Sequence, residues 1–165
     1  TPHKGEPKGL DDLKNLLIIS PDAGGVNRAQ SFKTRLGKLV PENCCSLGFM
    51  IKQRPKAGEV GTVKYVGEEY SGKNVLIIDD IIDSGGTLAA NVEVLKAGGA
   101  NKVFCYGTHG FFTKGTEILT SKFDKVFTSN TYYNQNEVEV IDISPLFAEA
   151  IYRAQFNESV SDLFK

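Results

Sequence analysis

Short apolar runs, each closed by a glycine-containing turn and followed by a helical pattern, recur along this chain and restrict its fold more than any other feature. The runs are Leu16–Ser20, Ser46–Lys52, Asn74–Asp80, Lys102–Thr108, Lys125–Ser129 and Glu137–Asp142. Their hydrophobicity is nearly continuous rather than alternating, which suits strands covered on both faces, as in a parallel sheet. Helical patterns occupy Val26–Lys38, Gly86–Ala97, Thr113–Ser121 and Pro145–Phe156. In the second of these, Leu88, Val92 and Leu95 share a face and Gly98-Gly99 ends the helix. Strands alternating with helices imply right-handed βαβ units. The expected fold is α/β and Rossmann-like, a mostly parallel sheet of about five to six strands flanked by helices.

The 165 residues suit one such domain, over 15–156. The tail, 157–165, carries too little apolar content to read as an element. The segment Lys52–Gly72 is polar, rich in Gly and Lys and interrupted by Pro55, which predicts a long mobile loop or a hairpin arm. Apolar residues make up 41% of the chain and charged residues 24%, so a packed core is expected and disorder is not. A formal net charge of −1 gives no global attraction to nucleic acid or anionic membrane, and runs such as Val75–Ile78 are too short to span a bilayer. No nucleic-acid or membrane partner is therefore expected. Residues Thr1–Asp12 do not read as a signal peptide. The cysteines, Cys44, Cys45 and Cys105, are odd in number and show no metal-ligand spacing, which predicts reduced thiols in a cytoplasmic protein.

In open parallel sheets ligands bind outside the carboxyl ends of strands, and three such ends carry unusual residues. The first is Asp79-Asp80, followed by Ile81-Ile82 and then Asp83-Ser84-Gly85-Gly86-Thr87 opening a helix. Gly85 and Gly86 let backbone N–H groups approach an anion at a helix N-terminus. The hydroxyls of Ser84 and Thr87 can donate to phosphate oxygens. Asp79 and Asp80 can accept from vicinal sugar hydroxyls or hold Mg²⁺. An acid pair beside a phosphate cradle suits a phosphorylated sugar better than a bare anion. Ser84 as a simple helix cap with solvated acids is the bland alternative, and the full string argues against it.

The second end, Ser20-Pro21-Asp22-Ala23-Gly24-Gly25, precedes a helix carrying Asn27 and Arg28 and makes a further anion nest. Asp22 alone could be a turn residue. Two nests on one rim are what a substrate with phosphates at both ends requires. The third end is Lys52-Gln53-Arg54, where alternation sends Lys52 and Arg54 the same way. Such a pair could neutralise charge on a transferred phosphoryl group. His109 also falls on the carboxyl rim, with a structural role at least as good an account of it.

These residues carry a family resemblance. VLIIDDIIDSGGT, Val75–Thr87, is similar to the ribose-phosphate binding motif of type I phosphoribosyltransferases, which implies a fold of that type. SPDAGGVNRA (Ser20–Ala29), IKQRPKAGEV (Ile51–Val60), THGFF (Thr108–Phe112), IDISPLFAEAI (Ile141–Ile151) and ESVSDLF (Glu158–Phe164) resemble, in order, the C-terminal half of ribose-phosphate diphosphokinases. The resemblance implies diphosphoryl transfer from MgATP to the anomeric hydroxyl of ribose 5-phosphate, EC class 2.7.6.1, giving phosphoribosyl diphosphate for nucleotide biosynthesis and AMP. It assigns Asp83, Ser84, Gly85, Gly86 and Thr87 to the 5-phosphate, and Asp79 and Asp80 to the ribose hydroxyls. Asp22, Ala23, Gly24 and Gly25 would cradle the diphosphate, with Asp22 near Mg²⁺. Lys52 and Arg54 would be the catalytic basic pair.

Family enzymes have a second, N-terminal domain that supplies much of the ATP site, and they assemble into homo-oligomers, commonly hexamers, controlled by ADP and phosphate. Residues 1–14 resemble the linker after that domain. The expectation is thus a piece of a longer protein that binds ribose 5-phosphate and has little synthetase activity alone. Two rival readings are a non-catalytic synthetase-associated regulatory subunit and a phosphoribosyltransferase consuming phosphoribosyl diphosphate. Intact site motifs argue against the first, and the lack of a recognisable base-binding hood argues against the second.

Overall fold

The structure, a computed structural model, describes residues 15–40, 45–53, 62–132 and 137–164. Seven strands form one sheet: β1 (Leu16–Ser20), β2 (Cys45–Gln53), β3 (Thr62–Gly67), β4 (Asn74–Ile82), β5 (Val103–Gly110), β6 (Lys125–Ser129) and β7 (Glu139–Ile141), in spatial order β3-β2-β1-β4-β5-β6-β7. Every pairing is parallel except β2 with β3. The helices are α1 (Val26–Leu36), α2 (Gly86–Ala97), α3 (Glu117–Thr120) and α4 (Ser144–Gln155), followed by a 3₁₀ segment, Val160–Phe164.

Burial explains why the strands read as unbroken apolar runs. All five residues of β1 are buried: Leu17 and Ile19 join the cluster under α2 and α3, whereas Leu16 and Ile18 pack with Ala29 of α1 on the other face. Ile77 and Ile78 of β4 divide between the same two clusters. Each such fully buried side chain contributes about 1.5–3 kcal/mol. On α2 the predicted face is buried, and Asn91 is buried with it. By contrast, α4 buries none of its residues.

The expected five to six strands become seven because the arm contributes one. Of the predicted arm, Lys52–Gly72, the described residues include β3, which runs antiparallel to β2 with Gln53 opposite Thr62 and Lys52 opposite Val63. Its own alternation turns Val63 and Tyr65 toward the core. Arg54 and the linker at 1–14 lie outside the described residues. The helix expected over Thr113–Ser121 shrinks to α3. Gly115 adopts φ 79°, and Thr113 is engaged by the loop after β4 instead. The tail, where no element was expected, forms the 3₁₀ segment.

The return from the arm is tied to the end of α2. Gly72 donates its N–H to the Gly99 carbonyl at 2.8 Å. Tyr70 packs edge-on against Tyr65, with ring centroids 4.7 Å apart. Its hydroxyl end lies over Gly98, so close that a Cβ there would overlap the ring. Cys105 is buried in the core and Cys45 half-buried.

Candidate functional site

Strand order reverses at β1, which lies between β2 and β4, so the crevice of this sheet opens where β1 and β4 end. Those ends carry the two motifs. A cavity of about 270 Å³ there is lined by Asp22, Asp79, Ile81, Ile82 and the run Asp83–Leu88. That lies just below the usual range of about 300–1,000 Å³ for drug-sized ligands, so it suits one small polar molecule. All five residues of the predicted phosphate loop are present, and Asp22 joins them from the neighbouring strand end.

The phosphate loop is shaped by Gly85, whose φ of 75° is left-handed backbone and caps α2. The first helical bond is Ala89 N–H to Gly85 O at 2.9 Å. The amides of Gly86, Thr87 and Leu88 therefore precede any helical acceptor. No acidic side chain occupies the first turn of α2, so the positive end of its dipole is uncompensated. The loop after β5 braces the cradle: the Thr113 hydroxyl donates to Asp83 Oδ1 at 2.7 Å, and Phe111 N–H donates to Ile82 O at 2.8 Å.

In the loop from β1 to α1, Gly25 N–H donates to Asp22 Oδ1 at 2.9 Å and the Ser20 hydroxyl donates to Asp22 O at 2.6 Å. Asn91, from α2, donates its side-chain N–H to the Pro21 carbonyl at 3.0 Å. Ala23 and Gly24 are exposed on this loop and Gly25, its last residue, is buried. Lys52 is exposed on β2, farther along that strand than Phe49, the partner of Ser20. It lies on the carboxyl side of the sheet but outside the cavity lining.

Asp79 and Asp80 are not equivalent. Asp79 lines the cavity, whereas Asp80 does not and its side chain is 56% exposed. Arg28 of α1 joins them, with Nη1 3.0 Å from Asp79 Oδ1 and Nη2 2.6 Å from Asp80 Oδ2. Burial, reinforced by the Asp80 carboxylate, pushes Asp79 up to about 6, against the pull of Arg28. On Asp80 burial is outweighed by the hydrogen bond with Asp79 and by Arg28, and its carboxyl is held below the usual range.

Among the described residues no group of three or more His, Cys, Asp or Glu side chains could enclose a metal ion. Asp22 fits a Mg²⁺ bound by one carboxylate plus substrate phosphates, the arrangement that ion commonly takes. His109, also on this rim, has Nδ1 2.8 Å from Thr131 Oγ1. Arg28, Asn91 and Thr113 are site residues that sequence reasoning did not assign. Each acts on a partner 30 to 70 positions away.

The architecture is that of the type I phosphoribosyltransferase class. A solved phosphoribosylpyrophosphate synthetase from Mycobacterium smegmatis superimposes with TM-score 0.73 at 29% identity, covering 91% of this chain and 47% of that one. The APRTase of Giardia lamblia shares the fold, with TM-score 0.53 at 18% identity over 70% of this chain and 68% of its own. The chain belongs to the family described as the phosphoribosyl synthetase-associated domain, whose model matches residues 47–165. Ribose-phosphate pyrophosphokinase of Aquifex aeolicus is 40% identical over 158 residues, 92% of this chain and 48% of that protein. The Wolinella succinogenes protein of the same name is 38% identical over 157 residues, with the same coverage. The chain spans about half the length of these curated relatives. No helix among the described residues is long and apolar enough to cross a membrane.

Proposed function

We propose that this chain forms the acceptor side of a ribose-phosphate diphosphokinase, holding ribose 5-phosphate for diphosphoryl transfer from MgATP. The observation that carries the reading is the cavity in which the 83–87 loop, Asp79 and Asp22 meet. The amides of Gly86 and Thr87 and the hydroxyls of Ser84 and Thr87 receive the 5-phosphate. Asp79, with Asp80 beside it, accepts from the ribose hydroxyls. The loop Asp22–Gly25 cradles the diphosphate, and Asp22 holds Mg²⁺, which neutralises phosphate charge. The O1 hydroxyl attacks the β-phosphorus, the bond from that phosphorus to the α,β-bridging oxygen breaks, AMP departs and the O1 proton passes to solvent. Lys52 and Arg54 stabilise charge on the transferred group. Positioning and charge neutralisation supply most of such catalysis.

Residues beyond these 165 complete the ATP site and the oligomer on this reading, so the isolated chain binds acceptor with little turnover. Its span of about half its relatives supports that division. Calorimetry with ribose 5-phosphate on the wild type and Asp83→Ala tests the site. Binding by the wild type, weakened in the variant, is expected, and unchanged affinity overturns the assignment.

A further inference from the structure

Four carboxylates, Asp22, Asp79, Asp80 and Asp83, crowd a rim that is to receive a phosphorylated ligand. Two of them, Asp79 and Asp80, are adjacent in sequence at the end of β4. A strand directs consecutive side chains to opposite faces, so these acids need an external device to act together. Arg28 is that device in space. It comes from the first turn of α1, immediately after the Asp22–Gly25 loop, and reaches 51 positions along the chain to Asp79 and 52 to Asp80.

Resting on the phosphoribose reading above, we propose that Arg28 is a positioning residue. It clasps Asp79 and Asp80 together, aims the Asp79 carboxyl into the sugar pocket and ties both acids to the second anion loop. The guanidinium is a rigid planar fork, so bonds from Nη1 to one acid and Nη2 to the other fix the angle between the two carboxyl groups. The bonding leaves a clear division of labour. Asp79 Oδ1 accepts from Arg28 and from Asp80 N–H, while Asp80 accepts from Arg28 on Oδ2 and from Ile81 N–H on Oδ1. Both Asp80 oxygens are thereby engaged, and Asp80 stands outside the cavity lining. Asp80 holds the clasp, and Asp79 faces the ligand. An ion pair this exposed adds little to folding stability, which leaves placement of the acids as its main effect.

Calorimetry of wild type, Arg28→Gln, Arg28→Lys, Asp80→Asn and the Arg28→Gln/Asp80→Asn double variant decides this. Ribose 5-phosphate and inorganic phosphate are the separate probes. Arg28→Gln is expected to weaken ribose 5-phosphate about tenfold while inorganic phosphate stays within about twofold. Arg28→Lys should not restore binding, because an ammonium cannot bridge two acids as a fork does. The double variant should lose no more than Arg28→Gln alone, since both changes open one clasp. Wild-type affinity in Arg28→Gln, recovery in Arg28→Lys, additive losses or equal loss of both probes would each overturn the role of Arg28 while leaving the phosphoribose pocket standing. A wild type that takes phosphate and ignores ribose 5-phosphate would overturn the pocket itself, and the clasp with it.

Discussion

Asn91 is the best place to test whether the two anion loops are built as one unit. Its side chain is 1% exposed and donates at 3.0 Å to the carbonyl of Pro21, itself buried. Asn91→Leu keeps the number of side-chain heavy atoms, so no cavity opens, but its bulkier methyl groups crowd the site and the Pro21 carbonyl is left in the interior without its donor. A buried acceptor orphaned in this way costs about 1–3 kcal/mol. Taking about 2 kcal/mol, and about 2–4 °C per kcal/mol for a domain of this size, the melting temperature should fall by about 4–8 °C. Urea unfolding should show the midpoint lowered at an unchanged slope, since the surface exposed on unfolding is the same. Affinity for inorganic pyrophosphate should fall too, because the Asp22–Gly25 backbone loses its anchor on α2. A stability loss below about 0.5 kcal/mol would refute the reasoning. It would mean that the loop keeps its shape without Asn91.

Two further outcomes follow from the same geometry. Gly85→Ala places a Cβ on backbone with φ 75° and 3.1 Å from Leu119 Cγ, so a loss of about 1–2 kcal/mol is expected by thermal unfolding; a wild-type melting curve would show that the loop relaxes freely. Asp79 binds its proton more tightly in the folded chain, at about 6 against an ordinary 3.8, so its contribution to stability declines as pH rises from about 4 to 6 and is level above that. Subtracting Asp79→Asn urea midpoints from wild-type ones across that range should reveal the slope, and a pH-independent difference would count against the raised value.

The parts of the fold that could be read from sequence are those whose signal is contiguous. A strand buried on both faces needs apolar residues throughout, and Leu16–Ser20 and Asn74–Asp80 show it directly. The phosphate loop was legible for the same reason: its glycines, hydroxyls and helix start follow one another. β3 was legible only through one of two alternatives, a hairpin arm, because its two core-facing residues, Val63 and Tyr65, alternate with polar ones inside a stretch of polar character. The helix at Thr113 was overextended because Asp83, thirty residues earlier, takes the hydroxyl and N–H of Thr113. Arg28 and Asn91 were visible as residues on helices, but nothing local indicates what they touch. Their roles exist only once β1 and β4 are neighbours.

The glycines that end α2 carry one more consequence, an evolutionary one. Helix termination tolerates several residues at position 98, where φ is −84° and unstrained. What forbids a side chain there is Tyr70, whose ring occupies the space a Cβ would need. Positions 98 and 70 therefore form a volume-conserving pair: a larger residue at the helix end becomes admissible only with a smaller one on the arm. Related chains that lose Gly98 should have lost Tyr70 as well. Because the arm's other strand carries Lys52, drift at the far end of a helix is restrained by the placement of a basic residue on the opposite side of the fold.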